Sequence, residues 1–246
     1  MLLKRIIRKI RNYNKREKPS HGVDFFQDVA CWGPEYSFDV IFDVGANIGN
    51  FTAYAREQFP LATIVSFEPI PPTFSHLQKR LSSNEHQVLE NLAVGASNCT
   101  VEVDYYVDMK LADRNSLTGD VLLLEDAEKA RATVEVITLD SYCADHNVDS
   151  IDFLKIDTEG FDLKVLQGAD GMLKRGSIKF LEVEVSMNPE NDFHIPFGTI
   201  IEYLKPYGYR LFGIYEQQPE KRVTVPILRR SNMVFMIARN FKRRKQ

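Results

Sequence analysis

The chain of 246 residues has few cysteines and no long apolar run. Its three cysteines, Cys31, Cys99 and Cys143, lie far apart without a C-x-x-C pair, which excludes a zinc ribbon and gives no disulfide framework. No stretch approaches the roughly 18 apolar residues that a membrane-spanning helix needs. Charges interrupt the apolar residues near the start, so we expect no signal peptide. These absences predict a protein of the reducing cytoplasm.

Basic charge is concentrated at the two ends of the chain, although the net charge is −3. We divide the chain into a basic extension at 1–20, a single domain at 21–238 and a basic tail at 239–246. Within the extension, residues 2–13 place apolar side chains at helical spacing between Lys and Arg. This pattern predicts a short basic amphipathic helix, and contact with an anionic membrane surface from the cytoplasmic side is one interpretation of it. A helix docked on the domain, or a solvated tail, is the alternative.

Short apolar strands alternate with helical segments through the domain, which is typical of a mainly parallel sheet covered by helices. The pattern predicts strands at 40–44, 63–67, 88–94, 100–107 (as an added edge), 134–139, 151–156, 178–185, 210–215 and 233–238. It predicts helices at 50–58, 73–81, 163–173 and 200–205. No helical pattern separates the last two strands, so we expect them to pair antiparallel. The prediction is an α/β domain with a mostly parallel seven-stranded sheet, helices on both faces and an antiparallel last strand.

The loop Gly45–Gly49 follows the first strand and lacks the middle glycine of the dinucleotide-binding fingerprint. A dinucleotide fingerprint has three glycines, and its middle glycine lets a pyrophosphate touch the backbone. Asn47 stands at that position here. The loop therefore favours a nucleoside ligand without a pyrophosphate, S-adenosylmethionine (SAM), over a nicotinamide dinucleotide. Glu68 ends the second strand, where a carboxylate accepts hydrogen bonds from the ribose hydroxyls. The predicted cofactor contacts are Asp43, Gly45, Ala46, Asn47, Gly49, Asn50, Glu68, Pro69 and Ala93.

Carboxylates also end two later strands, where the reacting group of an open α/β sheet lies. Asp157 and Glu159 follow the strand 151–156, and we expect Asp157 to accept a proton from the substrate. Glu182 and Glu184 share one face of the next strand. We assign Glu184 to the site and Glu182 to a structural pairing with a lysine such as Lys155. The predicted catalytic residues are Asp157, Glu184, His194 and Glu159.

The order and spacing of these motifs resemble the FkbM-type methyltransferase family. The resemblance rests on Phe42–Gly49, Phe67–Pro69, Asn91–Gly95, Thr138–Asp140, Leu154–Gly160 with Val165–Ala169, and Glu182–Val185 through to Gly208-Tyr209. It implies the class I, Rossmann-like fold of SAM-dependent methyltransferases, with SAM as cofactor. It also implies O-methylation of sugars, polysaccharides or related natural products. The residue Asp162 departs from the family, which more often has a glutamate there.

The sequence therefore predicts a SAM-dependent O-methyltransferase that acts on a hydroxylated acceptor. It favours catalysis without a metal ion over the alternative in which the carboxylates hold a divalent metal that acidifies the hydroxyl. The segments 108–132 and 186–198 are expected to shape the acceptor pocket. Three alternatives remain open: an NAD(P)-dependent oxidoreductase, a nucleic-acid methyltransferase that uses the basic ends, and a catalytically silent SAM-binding module of a glycan assembly complex. An Asn-Pro-Pro-Tyr-like motif after the strand 151–156 is absent, which argues against nucleic acid as the substrate.

Overall fold

The computed structural model describes residues 20–32, 37–81, 86–108, 110–111, 115, 127–191, 193–220 and 224–238. The predicted helix at 2–13 and the basic tail at 239–246 lie outside these ranges, as does most of the segment 108–132. Among the described residues, no helix combines the length and the apolar character needed to cross a membrane.

Helices and strands alternate along the domain. The helices are α1 (Phe25–Trp32), α2 (Asn50–Gln58), α3 (Pro71–Arg80), α4 (Leu139–Asp145), α5 (Asp162–Gln167), α6 (Asp170–Arg175) and α7 (Phe197–Leu204), with a 3₁₀ turn at Lys205–Tyr207. The strands are β1 (Val40–Val44), β2 (Thr63–Phe67), β3 (Gln87–Glu90), β4 (Ala93–Val94), β5 (Cys99–Tyr106), β6 (Lys129–Ile137), β7 (Ile151–Ile156), β8 (Ile178–Ser186), β9 (Tyr209–Pro219) and β10 (Leu228–Ile237).

The main sheet has seven strands in the order β3-β2-β1-β7-β8-β10-β9. The first five run parallel, and β10 pairs antiparallel with both β8 and β9. This confirms the predicted sheet and the antiparallel pairing at its end. Because β1, β2, β7 and β8 are parallel, the residues that follow them meet at one edge of the sheet.

A second sheet has the order β4-β6-β5 among the described residues. The prediction that the strand at 100–107 adds an edge to the main sheet is therefore wrong, because β5 pairs with β6 instead. Exposed and buried residues alternate along much of β5 and β6, whereas every residue of β7 is buried. Alternation suits a sheet with one solvated face, and continuous burial suits a strand covered by helices on both sides.

Apolar side chains cover both faces of the main sheet. On one face, Phe25 of α1 stacks on Phe153 of β7 at 4.7 Å between ring centroids. On the other face, the core includes Phe42, Leu154 and Leu166, which are fully buried. The strands that carry the polar edge are thus fixed by packing on both sides.

Some of the observed helices differ from the predicted ones, and α1 (Phe25–Trp32) was not predicted. The helix predicted at 163–173 is divided into α5 and α6 around Gly168, where a Cβ atom would lie 2.0 Å from the carbonyl oxygen of Gly95. The helix α4 was not predicted. Thr138 caps it by accepting a hydrogen bond from the backbone N–H of Ser141 at 3.1 Å, a recognised start signal for a helix.

Candidate active site

A cavity of about 610 Å³ lies at the carboxyl ends of β1, β2 and β7. Its walls include all the predicted cofactor residues except Gly49, together with Asp157 and Glu159. Glu184 and His194 do not line it, but His194 Nε2 lies 3.5 Å from the Glu159 carboxylate. Gly49 instead starts α2, and a Cβ atom there would lie 2.6 Å from side-chain carbons of Leu77 and Leu81.

The loop after β1 is held against two neighbouring strands by its backbone. The N–H groups of Gly45 and Ala46 both donate to the carbonyl oxygen of Phe67, at 3.0 and 2.9 Å. Gly45 has φ +85°, and a Cβ atom there would lie 1.9 Å from the carbonyl oxygen of Asp157. Glycine is required at this position because of both the backbone conformation and the close approach. The loop consequently presents its backbone to the cavity.

Glu68 lines the cavity and is fixed in place by two backbone hydrogen bonds. Its two carboxylate oxygens accept hydrogen bonds from the backbone N–H groups of Asn47 at 3.0 Å and Ile70 at 2.9 Å. Only 6% of the residue is exposed. Burial raises the pKa of its carboxyl group to about 7, against the lowering effect of these hydrogen bonds. Each oxygen has a second lone pair for a ligand hydroxyl.

Asp43 is the most deeply buried of the cavity-lining carboxylates, with 1% exposure. Its Oδ2 atom accepts a hydrogen bond from the Thr52 hydroxyl at 2.6 Å. Its Oδ1 atom has no hydrogen-bond partner among the described residues. Burial raises the pKa of Asp43, although the nearby Lys155 lowers it. An orphaned carboxylate oxygen in a ligand cavity is suited to a cationic group such as an ammonium.

Lys155 lies at the centre of a row of charges across the sheet. Strand register places it between Asp43 on β1 and Glu182 on β8. Its amine contacts the Asp157 carboxylate at 2.7 Å. Burial lowers the pKa of Lys155, but Asp157, Asp43 and Glu182 outweigh this and raise it. Glu182 therefore lies beside Lys155 as predicted, but the ion pair at 2.7 Å is formed with Asp157.

The ion pair keeps Asp157 ionised. Burial raises the pKa of this carboxyl group, but the charge and hydrogen bond of Lys155 outweigh burial and lower it. Asp157 also follows β7 directly, and its backbone N–H donates to the carbonyl oxygen of Val44 at 3.0 Å. Its side chain is thus fixed at the cavity wall next to the glycine loop.

Glu159, Glu184 and His194 form a cluster next to Asp157. Nε2 of His194 lies 2.9 Å from Glu184 Oε2 and 3.5 Å from Glu159 Oε2. Glu184 also forms an ion pair with Arg230 through its other oxygen. Burial lowers the pKa of His194, but the two glutamates outweigh this and raise it to about 9. Burial raises the pKa of Glu159. Glu159 has φ +52°, a left-handed conformation uncommon for a non-glycine residue.

Several cavity residues were not predicted from the sequence. They are Thr158, whose buried hydroxyl has no partner among the described residues, and Lys155, Glu216 and Arg230. The sequence indicates Lys155 only as a partner for Glu182. Arg230 reaches the site because β10 runs antiparallel to β8, which places it opposite Ser186. Only the strand pairing at the end of the chain could have shown this.

The sheet order, the glycine loop after β1 and the acidic residue after β2 define a class I SAM-dependent methyltransferase. The sequence profile of the Methyltransferase FkbM domain matches residues 43–211. The chain belongs to the FkbM methyltransferase family, as the sequence predicted, and SAM is the cofactor of this class.

Named relatives are consistent with this assignment. The chain is 28% identical over 166 residues to "Methyltransferase 1" of Beauveria bassiana, covering 60% of this chain and 64% of that protein. It is 28% identical over 206 residues to the 31-O-demethyl-FK506 methyltransferase FkbM of Streptomyces tacrolimicus, covering 74% of this chain and 75% of that protein. The chain thus spans less than two thirds of the Beauveria relative.

A solved structure shares the fold. It is the methyltransferase FkbM of Methylobacillus flagellatus, which aligns with a TM-score of 0.52 at 15% identity. The alignment covers 82% of this chain and 45% of that one. At this level of identity, the comparison supports the class I fold.

Proposed function

We propose that this protein is a SAM-dependent O-methyltransferase whose acceptor is a hydroxyl group of a sugar, a polysaccharide or a related natural product. The observation that carries the proposal is the place of Asp157. Its backbone touches the glycine loop, and its ionised carboxylate lines the same cavity. A proton acceptor is thus fixed next to the predicted methionine end of SAM.

Different cofactor residues would bind different parts of SAM. Glu68 would accept hydrogen bonds from the ribose hydroxyls, and the orphaned oxygen of Asp43 would accept one from the ammonium group. SAM supplies a methyl group made electrophilic by its positively charged sulfur. The loop and these carboxylates would hold that methyl group in line with an acceptor oxygen, which is a proximity effect.

Asp157 would accept the proton that the acceptor hydroxyl loses as its oxygen bonds to the methyl carbon. The bond between that carbon and sulfur breaks, and S-adenosylhomocysteine leaves as a neutral thioether. Lys155 would keep Asp157 ionised and oriented through their 2.7 Å contact. The acceptor side of the cavity carries Thr158, Glu159 and Glu216, polar groups that suit an acceptor with several hydroxyls.

The relative from Streptomyces tacrolimicus supports oxygen as the methylated atom, because its name specifies a 31-O-demethyl substrate. The extent of the family match supports the transfer of this chemistry to residues 43–211.

The test is methyl transfer from labelled SAM to a panel of neutral glycans, acidic glycans and polyketide alcohols. We expect Asp157→Asn to lose at least about 100-fold in turnover, the contribution of a positioned general base, with SAM affinity changed little. The exposed Asp149 offers a matched control, and Asp149→Asn should retain wild-type turnover. Unchanged turnover by Asp157→Asn would remove Asp157 from proton transfer. SAM binding without transfer to any acceptor would favour the silent module.

A further inference from the structure

We propose that Glu159, Glu184 and His194 bind a divalent metal ion of the Mn²⁺ or Zn²⁺ type beside the acceptor region of the cavity. The sequence alone predicts no metal here, and the inference rests on the arrangement of these three side chains. They come from three separate segments: the turn after β7, the strand β8 and the loop that precedes α7.

The spacing of the ligand atoms suits one ion. One nitrogen and two carboxylate oxygens lie within 4.8 Å of one another. His194 Nε2 is 2.9 Å from the Glu184 carboxylate and 3.5 Å from that of Glu159. Bonds of about 2.1 Å from a metal to nitrogen and oxygen ligands place adjacent ligands about 3 Å apart. The three atoms could therefore share an ion after small side-chain adjustments.

Two of these atoms are buried without a hydrogen bond. His194 is 6% exposed and Glu184 is 5% exposed. Despite their 2.9 Å separation, His194 Nε2 and Glu184 Oε2 have no hydrogen bond of acceptable geometry among the described residues. The contact between these two buried atoms is thus an ion pair without hydrogen-bond geometry. Both atoms belong to the group of three ligand atoms that lie within 4.8 Å of one another.

The two neighbouring cations contact other atoms than the three proposed ligand atoms. Arg230 contacts Oε1 of Glu184 and leaves Oε2 to the cluster. Lys155 contacts Asp157 and partly neutralises the neighbouring charge. One imidazole and two carboxylates form a mixed donor set, which suits Mn²⁺ and Zn²⁺ better than a soft ion such as Cu⁺.

The amide of Asn191 contacts the other ring nitrogen of His194. Its Nδ2 atom lies 3.3 Å from Nδ1 of His194. An ion on Nε2 would leave the ring proton on Nδ1, where an acceptor would be preferable to an amide donor. Asn191→Asp supplies such an acceptor and retains the oxygen that binds the backbone N–H groups of Phe193 and His194.

The ion would lower the pKa of an acceptor hydroxyl bound to it, so that a carboxylate could remove the proton more readily. This consequence rests on the proposed function, whereas the binding of the ion does not. The two are therefore tested separately.

The test is a Mn²⁺ titration of the chelator-treated full chain, followed by electron paramagnetic resonance. We expect one saturable site in the wild-type protein, with affinity at least tenfold weaker in Glu184→Gln and in His194→Asn. Asn191→Asp should bind more tightly. The exposed His76 offers a matched control, and His76→Asn should bind as the wild type does. Thermal unfolding of each variant identifies any loss of binding that arises from misfolding.

Absence of saturable Mn²⁺ binding by the wild-type protein, together with no binding of Zn²⁺ in competition with a chromogenic chelator, would overturn the proposal. Wild-type affinity in folded His194→Asn would overturn it as well. Mn²⁺ binding without methyl transfer would contradict the proposed function and leave the metal site supported.

Discussion

The backbone N–H of Asn47 donates a hydrogen bond to the carboxylate of Glu68 at 3.0 Å, across 21 positions of sequence. The residue that replaces the middle glycine of the dinucleotide fingerprint is thus tied to the predicted ribose acceptor. Because this hydrogen bond joins them, the conformation of the glycine loop and the position of the Glu68 carboxylate depend on each other. A change that moves the backbone of the loop or removes the Glu68 carboxylate should therefore alter SAM affinity.

We expect SAM affinity to fall as the pH is lowered through 7. Burial raises the pKa of Glu68 to about 7, and the ribose hydroxyls bind its ionised form. Lowering the pH from 8 to 6 should therefore weaken binding by about tenfold, because protons compete with SAM. Isothermal titration calorimetry at both values measures this. Glu68→Gln should bind weakly with little pH dependence, and the exposed Glu57→Gln should behave as the wild type. A flat wild-type profile would contradict this role.

Gly45→Ala should destabilise the protein and abolish SAM binding. The added methyl group would lie 1.9 Å from the carbonyl oxygen of Asp157 at φ +85°, so the loop must move away from β7. Chemical denaturation should show a loss of about 2 kcal/mol or more.

Gly198 in α7 is the control for the preceding change, because among the described residues nothing beyond the adjacent helix backbone lies within 4 Å of the position that an added methyl group would take. Gly198→Ala should be neutral or stabilising by up to about 1 kcal/mol, since alanine favours a helix. Equal effects of the two substitutions would contradict the steric argument.

Lys155→Met should cost about 3–5 kcal/mol of unfolding free energy, the usual result of removing one partner of a buried ion pair. The substitution leaves Asp157, Asp43 and Glu182 near one another without their shared cation. Urea denaturation at pH 7 measures the loss. Lys174→Met removes an exposed i,i+4 ion pair with Asp170 and should leave the unfolding free energy almost unchanged, because solvent screens such pairs. A similar cost for both would show that Lys155 is not a buried counter-ion.

Asp43→Asn should weaken SAM binding without destabilising the protein. Burial raises the pKa of Asp43 above its ordinary value. At pH 7, which lies above that ordinary value, keeping the carboxyl group ionised in the folded protein therefore costs folding free energy. The neutral variant should unfold at an equal or higher temperature. Its SAM affinity should fall by about ten- to a hundredfold, because a hydrogen bond to a charged group is lost. Unchanged affinity in calorimetry would remove Asp43 from cofactor binding.

The central strands could be predicted from the sequence because each is a short apolar run that ends in a polar residue. The bounds of β1, β2 and β7 agree with the prediction at both ends. The second sheet could not be assigned in this way. The alternation in β5 predicts a strand with one solvated face, but it contains no information about the strand with which β5 pairs.

The residues of the candidate site also fall into two groups, those that local sequence patterns predict and those that long-range contacts place. Asp43, Glu68 and Asp157 were found because each directly follows or ends a recognisable strand. The contact of Arg230 with Glu184 depends on the antiparallel return of β10, and the burial of His194 depends on how its loop folds back over Glu159. Both are long-range events that local patterns do not contain.

The contact of Gly168 with Gly95 has a consequence for the exchange of specificity between related enzymes. The segment 96–137 contains β5 and β6 of the second sheet. Just beyond its end, the backbone N–H of Thr138 donates to Asn98 Oδ1 at 2.8 Å, so the two ends of the segment are held together. Lys110 and Asn115 within the segment line the cavity. Closing a longer loop adds little entropy cost. The pairing of Val136 and Ile137 with Ala93 and Val94 joins this segment to a predicted cofactor contact, so any change of length in it must leave the pairing of β6 with β4 intact.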